Sequence, residues 1–170
     1  MRFLLSAVVA MALASPTAAQ VHRADGDLAQ RVASTVRGYV QIGIFDDVTI
    51  DVSDRSVTLQ GRVTMPFKRE EIGARVAKID GIRTVTNNIR VLPLSNYDSD
   101  LRQRIAQAIY GHSTFWRYAS MSQPPIHIIV ENGRVTLTGV VGSELERTLA
   151  GALAYVPGAF AVTNALEIDR

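Results

Sequence analysis

Residues 126–141 read Ile126-His-Ile-Ile-Val-Glu-Asn-Gly-Arg-Val-Thr-Leu-Thr-Gly-Val-Val141, and residues 48–63 read Val48-Thr-Ile-Asp-Val-Ser-Asp-Arg-Ser-Val-Thr-Leu-Gln-Gly-Arg-Val63. Seven of these 16 positions are identical at a constant offset of 78. Both stretches alternate apolar with other residues and break once at a turn, the pattern of two paired strands. Asn132-Gly133 is a strong short hairpin signal, because both residues tolerate positive φ. Ser53-Asp54-Arg55-Ser56 takes its place in the earlier copy, and its chemistry predicts a poorer, looser turn.

The repetition extends outward from the hairpins. Val85-Thr86-Asn87 matches Val162-Thr163-Asn164 at an offset of 77, and Asp27 through Gly38 matches Asp100 through Gly111 at 73. The shift from 73 to 78 places a five-residue insertion in the second copy, within 112–125. Ahead of each hairpin, Leu28, Val32, Val36 and Tyr39, and likewise Leu101, Ile105, Ala108 and Ile109, recur at helical spacing. Asp27 and Asp100 are the expected N-caps. Behind each hairpin a second helix is expected, over 66–79 with Pro66 just inside its start, and over 143–155 with Ser143 and Glu146 as a capping box. Final strands are expected at 83–91 and 160–168. Each copy thus reads α-β-β-α-β. The fold class is α+β: two tandem modules, each a mixed three-stranded sheet with two helices on one face.

The expected organisation is a signal peptide at 1–19, a tail at 20–26, a first module at 27–92, a linker at 93–97 and a second module at 98–169. Arg2 followed by the apolar run Phe3–Ala14 and the small residues up to Ala19 has the order of a secretory signal. That run is roughly 11–12 residues, short of the ~20 that span a bilayer. No later stretch is apolar enough to span one. Without cysteine the chain forms no disulfide and carries no lipid-attachment thiol. Removing Arg2 with the signal leaves 17 of the 18 Lys and Arg against 16 acids, too even a balance to attract nucleic acid.

The stretch Asn132-Gly-Arg-Val-Thr-Leu-Thr-Gly139, a capped helix, Val156-Pro-Gly158 and Val162-Thr-Asn164 resemble the BON domain family. The first copy carries the likeness in Ser56-Val-Thr-Leu-Gln-Gly61, Ile79-Asp-Gly81 and Val85-Thr-Asn-Asn88. The resemblance implies a periplasmic or outer-membrane-associated protein. It also implies phospholipid binding, envelope integrity or stress tolerance, and in some members chaperone-like help to exported proteins. It offers no catalytic residues to carry over.

The residues point away from catalysis in their own right. His22, His112 and His127 have neither paired spacing nor cysteine neighbours, so no metal site is expected. Asp46-Asp47 and Glu70-Glu71 are sequence neighbours whose side chains diverge, unlike a general acid–base couple. Gly139-Val-Val-Gly142 lacks the lysine of a phosphate loop and the basic neighbours of a nucleic-acid clamp. We expect no enzyme activity, no cofactor and no nucleic-acid partner.

Two features of the second copy suggest a binding site. Phe115, Trp116, Arg117 and Tyr118 gather aromatics around a base within the insertion, with Met121 close by. Trp and Tyr favour the headgroup level of a bilayer and Arg pairs with phosphate, so the segment is expected to touch anionic phospholipid peripherally. The alternative is that Phe115 and Trp116 extend the first helix and pack on the module's core. The second feature is the sheet face away from the helices, polar in the first copy, where Ile129, Val140 and Ala165 replace Asp51, Arg62 and Asn88. These three are expected at an interface with the first module or with a partner. The leading expectation is a periplasmic protein binding anionic phospholipid or envelope proteins. The alternative function is a holdase-like chaperone or assembly factor for exported polypeptides.

Overall fold

The computed structural model describes residues 18–169. The expected signal peptide lies outside these residues except for Ala18 and Ala19. In the first module α1 (Ala18–Arg37) leads to β1 (Asp47–Ser53), β2 (Ser56–Val63), α2 (Pro66–Val76) and β3 (Thr84–Val91). In the second, α3 (Asn96–Tyr110) leads to a 3₁₀ turn (Ser113–Phe115), α4 (Trp116–Ala119), β4 (Ile126–Glu131), β5 (Arg134–Val141), α5 (Glu144–Leu153), β6 (Ala161–Asn164) and β7 (Glu167–Ile168). The first two strands of each module are antiparallel, and the last runs parallel to the middle one. The two mixed sheets are separate. β6 and β7 are one strand interrupted at Ala165–Leu166: Ala165 still donates to the Leu137 carbonyl (2.9 Å), and the pairing resumes in register.

Strand alternation decides which face is covered. Val57, Leu59 and Val63 of β2 are buried with Val32 and Val36 of α1, Ile72 and Val76 of α2, and Ile89 of β3. Leu101, Ile105 and Ile109 of α3 close the second core over Val135, Leu137 and Val141 of β5. Each such side chain contributes roughly 1.5–3 kcal/mol by leaving water.

Two local expectations are corrected. α1 begins at Ala18, so Asp27 lies inside a helix, and α3 begins at Asn96, where Ser95 Oγ caps it by accepting from Asp98 N (3.1 Å). The 53–56 turn is also as tight as its counterpart. Ser53 pairs with Ser56 and Glu131 with Arg134, leaving two-residue loops in both copies. Asp54 and Arg55 adopt φ of 50° and 59°, beside 53° and 72° for Asn132 and Gly133. A left-handed conformation costs a non-glycine residue about 1–2 kcal/mol, so something must hold it.

That something is an aspartate on each leading helix, at equivalent positions of the repeat. Asp25 accepts from Asp54 N (2.9 Å) and Arg55 N (3.0 Å). Asp98, at the same place in the repeat, accepts from Asn132 N and Gly133 N, both at 2.8 Å. One carboxylate thereby satisfies two successive turn amides and pins helix to hairpin.

A second duplicated lock joins the last strand to the second helix. Asn87 Nδ2 donates to the Arg69 carbonyl (2.8 Å), and Asn164 Nδ2 to the Arg147 carbonyl (2.7 Å). Each amide lies over a helix glycine: a Cβ on Gly73 or Gly151 would fall 2.6 or 2.7 Å from that nitrogen.

The modules touch. Ile44 and Phe45, from the loop before β1, pack against the second core, and Ile128 N donates to the Ile44 carbonyl (2.6 Å). Gln123 Nε2 donates to the Arg37 carbonyl, and Arg62 pairs with Glu131 at 3.5 Å.

Two predictions follow from the locks. Asp98 is buried and Asp25 half-exposed, so Asp98→Ala should cost about 3 kcal/mol and Asp25→Ala about 1 kcal/mol in urea unfolding; equal costs would argue against the clamp. Gly151→Ala should cost about 1–3 kcal/mol by overpacking. Adding Asn164→Ala should recover part of that loss, whereas strictly additive costs would show that the two residues do not meet.

Candidate functional site

The insertion between α3 and β4 folds into the 3₁₀ turn and α4, and it divides the expected aromatic quartet. Phe115 is fully buried in the second core, and the Tyr118 ring stacks on it with centroids 6.1 Å apart. The Tyr118 hydroxyl donates to Glu146 Oε2 (2.8 Å) and accepts from Gly142 N (2.9 Å). Arg117 Nη2 donates to Glu146 Oε1 (2.5 Å) and to the Tyr118 hydroxyl (2.7 Å), its guanidinium lying 4.5 Å from the Tyr118 ring centre. Phe115 and Tyr118 therefore face inward, against the expectation that all four reach a membrane. Trp116 remains 65% exposed, tied only by Nε1 to the Gly111 carbonyl (3.3 Å). Met121 is exposed nearby in the chain. The surface part of the site is thus Trp116 with the outer half of Arg117.

Sequence reading missed the acid at the centre. Glu146 caps less than its spacing suggests: Ser143 Oγ accepts from Glu146 N (3.2 Å), but Glu146 Oε2 accepts from Gly142 N (2.8 Å) and not from Ser143. Its carboxylate holds the insertion against the start of α5. The first module builds the same junction with opposite sign. Buried Asp46 accepts from Gly43 N (2.9 Å), Thr64 N (2.7 Å), Thr64 Oγ1 (2.8 Å) and Lys68 Nζ (2.6 Å). Thr64 and Gly142 are equivalent in the repeat, as are Lys68 and Glu146, both at an offset of 78. In the first copy the helix supplies the base and the preceding loop the acid; in the second the helix supplies the acid and the insertion the base. The signal available beforehand was Lys68 standing where the other copy has Glu146.

The apolar trio does not form one patch. Ile129 opposes Thr136 and Val140 opposes Glu167, with the His127–Thr138 pair between them. Ile129 is 2% exposed and shares a cleft of about 260 Å³ with Arg62 of the first module, Glu131 and Thr163. Val140 and Ala165 are exposed. Of the histidines, His112 Nδ1 accepts from Thr114 N (3.3 Å) as a local cap. Among the described residues no three His, Asp or Glu side chains converge as a metal site would require. Among them, too, no helix is long and apolar enough to cross a membrane.

No curated protein matches the chain. Two solved structures of CdsD, a structural protein of the type III secretion system of Chlamydia trachomatis, are similar at 13% and 14% identity. The matches cover 82% and 80% of this chain and 92% and 96% of those chains, each with a TM-score of 0.33. The family model described as BON domain matches twice, over residues 24–93 and 97–170. Those segments contain the two clamped hairpins, the helices behind them and most of the helices ahead of them, so the chain belongs to the BON domain family and carries the domain in tandem.

Proposed function

We propose that the chain is a non-catalytic envelope protein, exported to the periplasm by residues 1–19, whose second module touches anionic phospholipid through the Trp116–Arg117 corner. The observation that carries this reading is the exposure of Trp116, a large aromatic held outside by an insertion whose other aromatics are anchored in the core. An indole presented on a rigid base suits the headgroup level of a bilayer. The Arg117 side chain is 56% exposed, leaving guanidinium hydrogens for a lipid phosphate while Glu146 orients the group. Because Glu146 also offsets its charge, the contact depends more on the indole than on Coulomb attraction, and added salt should weaken it only modestly. The second reading, a holdase or assembly factor for exported polypeptides, draws support from a different surface, the outer edge of β1.

Trp116 is the chain's single tryptophan, so its fluorescence reports the contact directly. Vesicles containing phosphatidylglycerol should shift its emission to the blue, and vesicles of phosphatidylcholine alone should do so less. In vesicle sedimentation Trp116→Ala should weaken binding about tenfold, while Leu94→Ala, an exposed apolar residue in the linker, should leave it unchanged. An unshifted emission, or full binding by the Trp116 variant, would overturn the reading.

A further inference from the structure

Two copies of one module should leave the same sheet edge in the same condition, and these do not. β4 is the outer strand of its sheet. Its two-residue turn makes Glu131 and Arg134 a hydrogen-bonded pair, so Ile126, Ile128 and Val130 turn their N–H and C=O groups outward. Most of those groups are capped. Tyr110 Oη accepts from Ile126 N (3.2 Å) and donates to the Ile126 carbonyl (2.5 Å). Burial pushes the Tyr110 phenol above its ordinary pKa, which keeps that proton in place. Ile128 N is taken by the Ile44 carbonyl, and the Val130 carbonyl accepts from Arg102 Nη2 (2.7 Å). All three side chains are fully buried.

On β1 the equivalent outward residues are Val48, Ile50 and Val52. The positions equivalent to Arg102 and Tyr110 hold Ala29 and Arg37, at the offset of 73. Neither residue's side chain hydrogen-bonds to β1, and among the described residues nothing caps the outward groups of Val48, Ile50 or Val52. Their side chains are only half-buried. An open strand of this kind is a template for pairing.

We infer that the outer edge of β1 takes an extended polypeptide segment by main-chain strand addition. At the equivalent edge in the second module one outward amide, Ile128 N, is already met by a main-chain carbonyl, that of Ile44 in the Gly43–Asp46 turn. Side-chain chemistry specifies the occupant. Val48, Ile50 and Val52 give the edge an apolar face, and the other face carries Asp47 and Asp51. Asp47 lies opposite Arg62, whereas Asp51 lies opposite Thr58 and has no ion-pair partner among the described residues. A segment alternating apolar and basic residues satisfies both faces. A second copy of β1 would bring two more carboxylates to an already acidic edge, so a different polypeptide is the better fit. This surface is separate from the Trp116 corner, and its test does not depend on lipid.

The probe is the peptide acetyl-Lys-Val-Lys-Val-Lys-amide, with acetyl-Glu-Val-Glu-Val-Glu-amide as its counterpart. Binding of the basic peptide to the full chain should slow amide hydrogen exchange at Val48, Ile50 and Val52 and leave Ile126, Ile128 and Val130 as they were. Asp51→Lys, at an exposed position that leaves the core intact, should weaken the basic peptide about tenfold and favour the acidic one. A basic peptide methylated on its valine and lysine amides should lose binding to the wild-type chain. The inference is overturned if exchange at β1 is unchanged, if Asp51→Lys alters neither affinity, or if the edge is protected without peptide in concentration-dependent dimers.

Discussion

One aspartate per module, accepting from two successive amides across a hairpin turn, is the constraint on which the rest of this structure depends. A two-residue turn fixes strand register, and a slip of one residue would send Val57 and Leu59, or Val135 and Leu137, to the solvent face. The clamp selects that turn by satisfying amides that only a left-handed backbone presents together. It also sets the height of the leading helix over the hairpin, and with it which helical residues meet the strands. Leu28, Val32 and Val36 follow Asp25 on one face of α1; Leu101, Ile105 and Ile109 follow Asp98 on one face of α3. Packing then acts on faces that the polar contact has already aligned.

The amphipathic parts of this arrangement were legible in sequence and the polar locks were not. Alternation in the strands and 3.6-residue spacing in the helices are local patterns, and the core residues they predict are buried except Ala108, which is half-buried, while Ile129, expected on the open face, is buried as well. The clamp joins residues 29 and 30 positions apart in the first module, and 34 and 35 apart in the second. Composition could not reveal it, and Asp27 and Asp100 looked like better caps. The Ser53–Ser56 turn was misread for the same reason: its residues are poor turn formers alone, and the compensating partner lies far away in sequence. The aromatic quartet was half legible. Residue type marks Phe115 through Tyr118 as unusual, but only the turn into α4 determines that two rings go in and Trp116 stays out.

Comparison of the two copies shows how a duplicated domain changes partners without changing shape. The strand-to-helix junction needs its first amides satisfied in both modules. Asp46 with Lys68 does this in one, and Glu146 with Arg117 and Tyr118 in the other. Once the helix residue changed sign, the partner had to change sign too, because a buried carboxylate facing another would cost several kcal/mol. The insertion supplies that base, and its aromatics fill the enlarged second core. Trp116 is the residue of the segment for which neither requirement accounts.

The loop from Gly43 to Asp46 ties these local solutions into one molecule. Asp46 accepts from Gly43 N as well as from Thr64 and Lys68, which stiffens the loop on the first module. The same loop offers the Ile44 carbonyl to β4 and packs Ile44 and Phe45 on the second core. Burial disfavours the charge on Arg102, which caps β4 alongside it, while Asp98 and Asp46 support that charge. The second module's edge is therefore closed partly by residues of the first, whereas among the described residues no segment does the same for β1. Tandem arrangement of identical folds thus produces two unlike edges, one capped at most of its outward groups from within the chain and one whose outward groups no described residue caps.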